Sequence, residues 1–252
     1  MEKNSLKAIA FVIITLLSGA IAGTILGIIN QALVEPYIDR AISIETQNAI
    51  KEGEIVDSVE LQNYRIWQKG GEIVAGTILG MSFGALFGIV FVYCRSLLLP
   101  QSDSNIRKAL VLAGIMWFVL FLIPALKYPA NPPAVGDPET IYYRESLYIG
   151  FLAISGFSAL GLALLYRKIR SLAPNNKNRL IVVPLIYAAI IVGAFLILPP
   201  NPDKISVPMD LVQGFRITSA FTMSIFWGLL GLILGAFWNR LQPHETTRIT
   251  TV

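Results

Sequence analysis

A run of about 20 predominantly apolar residues leaves a chain few choices, because a helix of that length crosses the ~30 Å hydrocarbon core of a bilayer. Six such runs occur here: Leu6 to Val34, Ile73 to Leu99, Ala109 to Leu126, Leu147 to Tyr166, Leu180 to Leu198 and Ile217 to Trp238. Composition agrees. Hydrophobic residues make up 54% of the 252 and charged residues only 14%, with a mean hydropathy of +0.63, whereas soluble domains carry roughly a quarter charged residues. The expected fold is an all-α integral membrane protein, a bundle of about six transmembrane helices arranged as three hairpins within one membrane domain, residues 1–252.

Charge sorts by side. With the N-terminus inside, the inner segments hold twelve basic residues against three acidic ones, a net of +9, and the outer segments hold eight against thirteen, a net of −5. Loops rich in Lys and Arg stay in the cytoplasm. The expectation is a multi-pass protein of the cell membrane with both termini cytoplasmic, and the pI near 9.2 reflects topology and lipid surroundings, with no nucleic-acid partner implied. Lys3, Lys7 and the small residues of SGAIAG resemble a signal peptide. A signal has an apolar core of only about 7–15 residues, so the first span is read as retained.

The outer connections are 35–72, 127–146 and 199–216, and 240–252 is a cytoplasmic tail. VEPYIDRAISIE, with Pro36 in a first turn and Glu35 facing free N–H groups, predicts a short amphipathic helix with Ile38, Ala41 and Ile42 on its apolar face. KEGEIVDSVE after it reads as acidic and solvated. The stretch from Ile123 to Glu145 places five prolines between Pro124 and Pro138. Proline neither continues a helix nor donates an N–H, so this segment belongs at a membrane surface or along a cavity. PANPPAVGDPETIYYR before the fourth span and PPNPDKISVPMDLVQGFR before the sixth echo one another: an Asn-Pro, a later proline, and an arginine at the foot of the returning helix.

AGTILG occurs twice, at Ala22 to Gly27 and Ala75 to Gly80. Around it Gly19, Gly23 and Gly27 recur every fourth residue in the first span, as do Gly76, Gly80, Gly84 and Gly88 in the second, so each set lines one helix face. Small residues at this spacing let backbones approach closely in lipid, which predicts a packing seam between the two spans.

Catalytic chemistry finds little purchase. GMSFG at Gly80 to Gly84 fits G-x-S-x-G and, in a membrane, would suggest a rhomboid-type protease, but a serine nucleophile needs a base in reach and no span contains a histidine. Catalytic residues are therefore none, and Ser82 reads as a packing residue. The lone His244 lies in the tail. Cys94 is the only cysteine, so there is no intrachain disulfide and no thiolate metal cage. No phosphate-binding loop occurs, and no cofactor is expected.

Polar groups near membrane depth remain. Asn30, Gln31, Glu35, Glu72, Lys127, Arg144, Glu145 and Arg216 all fall near the outer boundary, either as interfacial anchors or along a substrate pathway. The oxygen ligands of this face would hold a partly hydrated divalent ion without choosing among metals. Lys127 would oppose a bare cation unless paired with Glu35 or Glu139. A Lys–carboxylate pair that a cation displaces would make a gate, with Glu35 and Glu139 as the metal-facing groups. A membrane scaffold binding a protein partner through its outer loops is the alternative, and a homo-oligomer is compatible with either.

GAIAGTILGIINQALVEPYIDRAISIE and LKYPANPPAVGDPETIYYR resemble the two hallmark segments of the CbtA family, the probable cobalt transporter subunit. Glu35, Pro36 and Glu45, then Lys127, Tyr128, Pro129, Asn131, Pro132, Pro133, Glu139, Thr140 and Arg144, occupy the family pattern, which makes Glu35, Glu45, Lys127, Tyr128, Asn131, Glu139 and Arg144 the candidate substrate pathway. The resemblance implies uptake of cobalt, as transported ion, linked to cobalamin synthesis, with a small histidine-bearing single-span subunit of the CbtB type as partner. It also implies that the proline-rich loop is a rigid outer mouth.

Overall fold

The computed structural model describes residues 2–98, 104–172 and 179–241, and every regular element among them is helical. The order is α1 (Glu2–Leu33), α2 (Glu35–Lys51), α3 (Ser58–Cys94), α4 (Asn105–Trp117), a π-helical turn (Phe118–Leu122), α5 (Ile123–Lys127), a 3₁₀ turn (Pro138–Thr140), α6 (Ile141–Leu172), α7 (Arg179–Ile197) and α8 (Met209–Leu241). Five stretches are long and apolar enough to cross a membrane, Ala8–Leu33, Ser58–Cys94, Asn105–Lys127, Pro138–Ile169 and Met209–Leu241, and Ile181–Ile197 is a shorter apolar helix. The protein is thus an all-α membrane protein of about six helices. His244 and most of the 240–252 tail lie outside the described residues.

The second span departs from expectation at its start. α3 begins at Ser58, within the segment read as solvated loop, because Asp57 caps it: the Asp57 carboxylate accepts from the Val59 and Glu60 backbone N–H groups at 2.8 and 3.1 Å. Such a cap satisfies two of the N–H groups a helix start leaves without partners. With 37 residues, α3 is about 55 Å long at 1.5 Å per residue. Hydropathy saw only its apolar part.

The chain forms two compact units. The first comprises Met1–Glu35, Val56–Ile115 and Phe221–Val252. Within it α1 and α3 meet backbone to backbone. A Cβ added to Gly80 would lie 2.8 Å from the Cα of Gly23, and one on Gly84 would lie 2.9 Å from the Cα of Gly19. Gly27 approaches Ile73, and Gly76 faces the Gly23 carbonyl. Gly88 receives the Thr15 side chain instead of a backbone. Hydroxyls on these helices turn back on their own turns, as Ser18 donates to the Ile14 carbonyl at 2.6 Å, while Thr24 and Thr77 also meet each other at 2.8 Å. Residues 221–241 of α8 add an aromatic wall: Trp227 packs on Phe83, and Trp238 packs on Phe91 at 5.0 Å in an edge-to-face arrangement. A second close approach joins α8 to α4, where a Cβ on Gly231 would fall 2.8 Å from that of Ala113 and one on Gly235 would fall 2.6 Å from the Cα of Ile106.

The second unit comprises Pro36–Ile55 and Met116–Ala220. Its α2 buries Ala41 fully against Val135, Val207, Leu211 and Val212 with Ile44 beside them, so of the three residues read as the apolar face, Ile38, Ala41 and Ile42, this cluster takes Ala41. The π turn has a local cause. Ile123 donates its N–H to the Phe118 carbonyl, five residues back. In that register the Val119 carbonyl would meet Pro124, which has no N–H. Ser155 on α6 supplies the missing donor, its hydroxyl reaching the Val119 carbonyl at 2.6 Å in the buried interior. Since that proton is committed, Tyr187 must donate its own to the Ser155 oxygen at 2.7 Å.

Candidate functional site

Helical periodicity builds the polar cluster of the first unit. Arg65, Lys69 and Glu72 fall at i, i+4 and i+7 on α3 and so share one face. Glu35, which opens α2 directly after α1, meets that face: its carboxylate accepts from the Arg65 guanidinium, and the Lys69 ammonium lies 3.7 Å away. Glu35 is 5% exposed. Glu72 is hydrogen-bonded by Asn30 and lies within electrostatic reach of Glu35, Arg65 and Lys69. Gln31 donates from its amide to the Lys69 backbone carbonyl. Two acceptor atoms, Asn30 Oδ1 and Glu72 Oε2, are buried without a hydrogen-bond donor. The cluster thus holds two carboxylates balanced by two cations, with spare oxygen atoms between them.

In the second unit the two echoing loops are bound to each other crosswise. Arg144, at the foot of α6, donates to the Asp203 carboxylate of the other loop at 2.7 Å and to the Asp137 carbonyl at 3.2 Å. Arg216, near the start of α8, donates to Asn131 Oδ1 at 2.5 Å and to the Ala130 carbonyl at 3.3 Å. Each loop's arginine therefore holds the opposite loop. The Asp203 side chain is 1% exposed, and Gly136 is required beside it, since any Cβ there would lie 2.6 Å from the Asp203 carboxylate in a backbone with φ of +104°. Ala134 also takes a positive φ, +65°, held by a hydrogen bond from Ser206 to its carbonyl at 2.8 Å and by burial of Val135.

Three of the predicted pathway residues, Tyr128, Asn131 and Arg144, line one cavity of about 420 Å³. Tyr128 is buried and donates to the Pro199 carbonyl at 2.6 Å. Burial, with the neighbouring Tyr143 phenol second, pushes its own phenol above the ordinary range, so it stays a donor. Glu45 lines a second, open cavity of about 500 Å³ with Glu52, Glu54 and Arg144. Glu139 is exposed and makes no side-chain hydrogen bond or ion pair among the described residues. Lys127 does not take the expected carboxylate partner. Its ammonium donates to the Phe195 carbonyl at 2.7 Å and sits over the Phe195 and Tyr128 rings at 4.5 and 5.4 Å. A carbonyl left over at the end of α7 and two ring faces satisfy the cation, while Glu35 is held by Arg65 and Lys69 instead.

Arg65, Lys69 and Asp203 escaped sequence reasoning. The first two carried a usable signal in their spacing ahead of Glu72; Asp203 carried none, since its partner is 59 residues away. Among the described residues no three His, Cys, Asp or Glu side chains gather as a metal-holding group, so a metal ion here would meet paired carboxylates, amides and its own water. Ser82 is exposed and donates to the Ile78 carbonyl at 3.0 Å.

Neither the curated proteins nor the solved structures contain a match to the chain. A family model described as probable cobalt transporter subunit (CbtA) matches residues 8–239, which contains four of the five long apolar stretches whole, the fifth up to two residues before its end, and both polar clusters. The chain belongs to the CbtA family, a family of multi-pass membrane proteins whose name assigns it to a cobalt transporter as a subunit.

Proposed function

We propose that the chain is the membrane subunit of an uptake system for cobalt or a similar divalent ion, acting without enzymatic chemistry in the cell membrane with both termini cytoplasmic. Its working partner is a small single-span subunit of the CbtB type, and the imported ion feeds cobalamin synthesis. The observation that carries the reading is the buried Glu35. A carboxylate withdrawn from water is expensive unless its charge is matched, and ionisable groups at membrane depth commonly mark ion pathways. Arg65 and Lys69 supply the matching charge at rest, and a divalent cation of the same total charge replaces them at the Glu35 and Glu72 carboxylates. Glu45, Lys127, Tyr128, Asn131, Glu139 and Arg144 of the second unit complete the proposed substrate pathway.

The test is cobalt accumulation, normalised to inserted protein, in cells that express the chain with the small partner, each alone, or neither. Accumulation that requires the chain supports uptake. Equal accumulation with and without it, alongside retained binding of the partner, would mean a scaffold.

A further inference from the structure

Glycines in α3 divide into two kinds. Gly76, Gly80, Gly84 and Gly88 all face close neighbours, whereas a Cβ added to Gly70 or Gly71 would meet nothing within 4 Å. Packing therefore does not require glycine at either position, and neither carries a positive φ. Two adjacent glycines inside a helix weaken it, and sharp helix bends commonly fall at glycine. The pair separates two parts of α3 with different surroundings. On one side lies a 58–69 arm with exposed Tyr64, Ile66 and Trp67, attached through Arg65 and Lys69 to Glu35 and through the Lys69 carbonyl to Gln31. On the other side Glu72 stays with Asn30, and the glycine seam locks the helix to α1.

We propose that Gly70–Gly71 is a hinge, and that bending there draws Arg65 and Lys69 off Glu35 and so opens the carboxylate pair to a divalent cation. The gate rests on the uptake reading; the hinge does not. Bending moves both cations together because they share the arm, and it leaves both carboxylates in place because neither does. The exchange needs no covalent step.

The experiment uses the full-length chain in lipid nanodiscs, free of metal, with Cys94→Ala and spin labels at Asn63→Cys on the arm and Ala32→Cys near the end of α1. The hinge predicts a broad or two-peaked distance distribution that becomes single and narrow in Gly70→Ala/Gly71→Ala. The same double variant should melt at the parent's temperature or higher, because the added methyl groups meet nothing, yet accumulate cobalt several-fold more slowly. A single narrow distance in the parent, the same as in the double variant, overturns the hinge. Parental uptake by the double variant overturns the gate. If the parent accumulates no cobalt the uptake reading fails, and the distance measurement still decides the hinge.

Discussion

The two units hold themselves together by opposite means. In the first, α1 and α3 touch through glycines spaced every four residues, and the hydroxyls nearby mostly satisfy their own helix turns. In the second, single side chains reach across 32 to 85 residues of sequence to a carbonyl, hydroxyl, carboxylate or amide: Ser155 to Val119, Tyr187 to Ser155, Arg144 to Asp203, Arg216 to Asn131. Lipid offers no hydrophobic drive for helix association, so each unit relies on something else. The first relies mainly on close dispersion contact and the second mainly on single polar pairs, of which Ser155 and the Asp203 side chain are buried. The first kind tolerates no added volume; the second tolerates no lost partner.

That contrast can be broken most severely at Gly80. Leucine there would drive a side chain into the Gly23 and Gly19 backbone, and because backbone cannot rotate away the cost should reach the upper end of the usual overpacking range, about 3 kcal/mol. Folded yield in detergent and thermal melting should both collapse, whereas Gly228→Leu, where a Cβ meets nothing, should behave like the parent. Equal behaviour of the two variants would place the seam elsewhere.

In the second unit Arg144→Ala leaves the Asp203 carboxylate buried without its cation, and loss of one partner from a buried pair costs about 3–5 kcal/mol. Since the Arg144 side chain is 24% exposed, the low end applies. Melting should fall clearly, and Asp203→Asn in the same background should recover part of the loss by removing the stranded charge. No recovery would mean that Arg144 acts through packing alone.

Ser155→Ala comes next. It strands the Val119 carbonyl and the Tyr187 hydroxyl, and a buried polar group without a partner costs about 1–3 kcal/mol. Adding Tyr187→Phe to it should cost little more, because the phenol has already lost its acceptor. Additive losses would separate the two residues energetically.

The smallest effect belongs to Arg40→Ala. Arg40 and Asp210 form an ion pair at 2.8 Å with side chains 52% and 67% exposed, and such surface pairs contribute little because water and salt screen them. A melt within a degree or two of the parent sharpens the point that burial, and not charge pairing, gives Arg144 its weight.

How much of this was legible follows the same divide. Periodic features were: the apolar runs, the glycine stripe, the amphipathic α2 and the arginine at the foot of each returning helix all repeat or recur in sequence. Gly231 and Gly235 facing Ala109 and Ala113 follow the same four-residue rule and could have been read from it. The start of α3 was hidden because hydropathy cannot see a polar helix, although Asp57-Ser-Val-Glu60 carries the signature of a capped start. Pairings between distant single residues were not legible. Lys127 could have met any acceptor, and the carboxylate expected for it gave way to the Phe195 carbonyl because α7 ends beside it with that oxygen unused. Glu35 was visible as a charge at the end of a span, but nothing local to it named Arg65 or Lys69.

On the proposed pathway Glu35 receives the transported ion once Arg65 and Lys69 leave it. This is tested most directly by cobalt uptake in Glu35→Gln, co-expressed with the small partner and normalised to inserted protein. The expected loss is on the order of tenfold, as for removal of groups that tune a metal site, with Glu35→Asp retaining more uptake than Glu35→Gln. Unchanged uptake per inserted molecule in Glu35→Gln would contradict it, and would leave the Glu35, Arg65 and Lys69 cluster as a structural anchor.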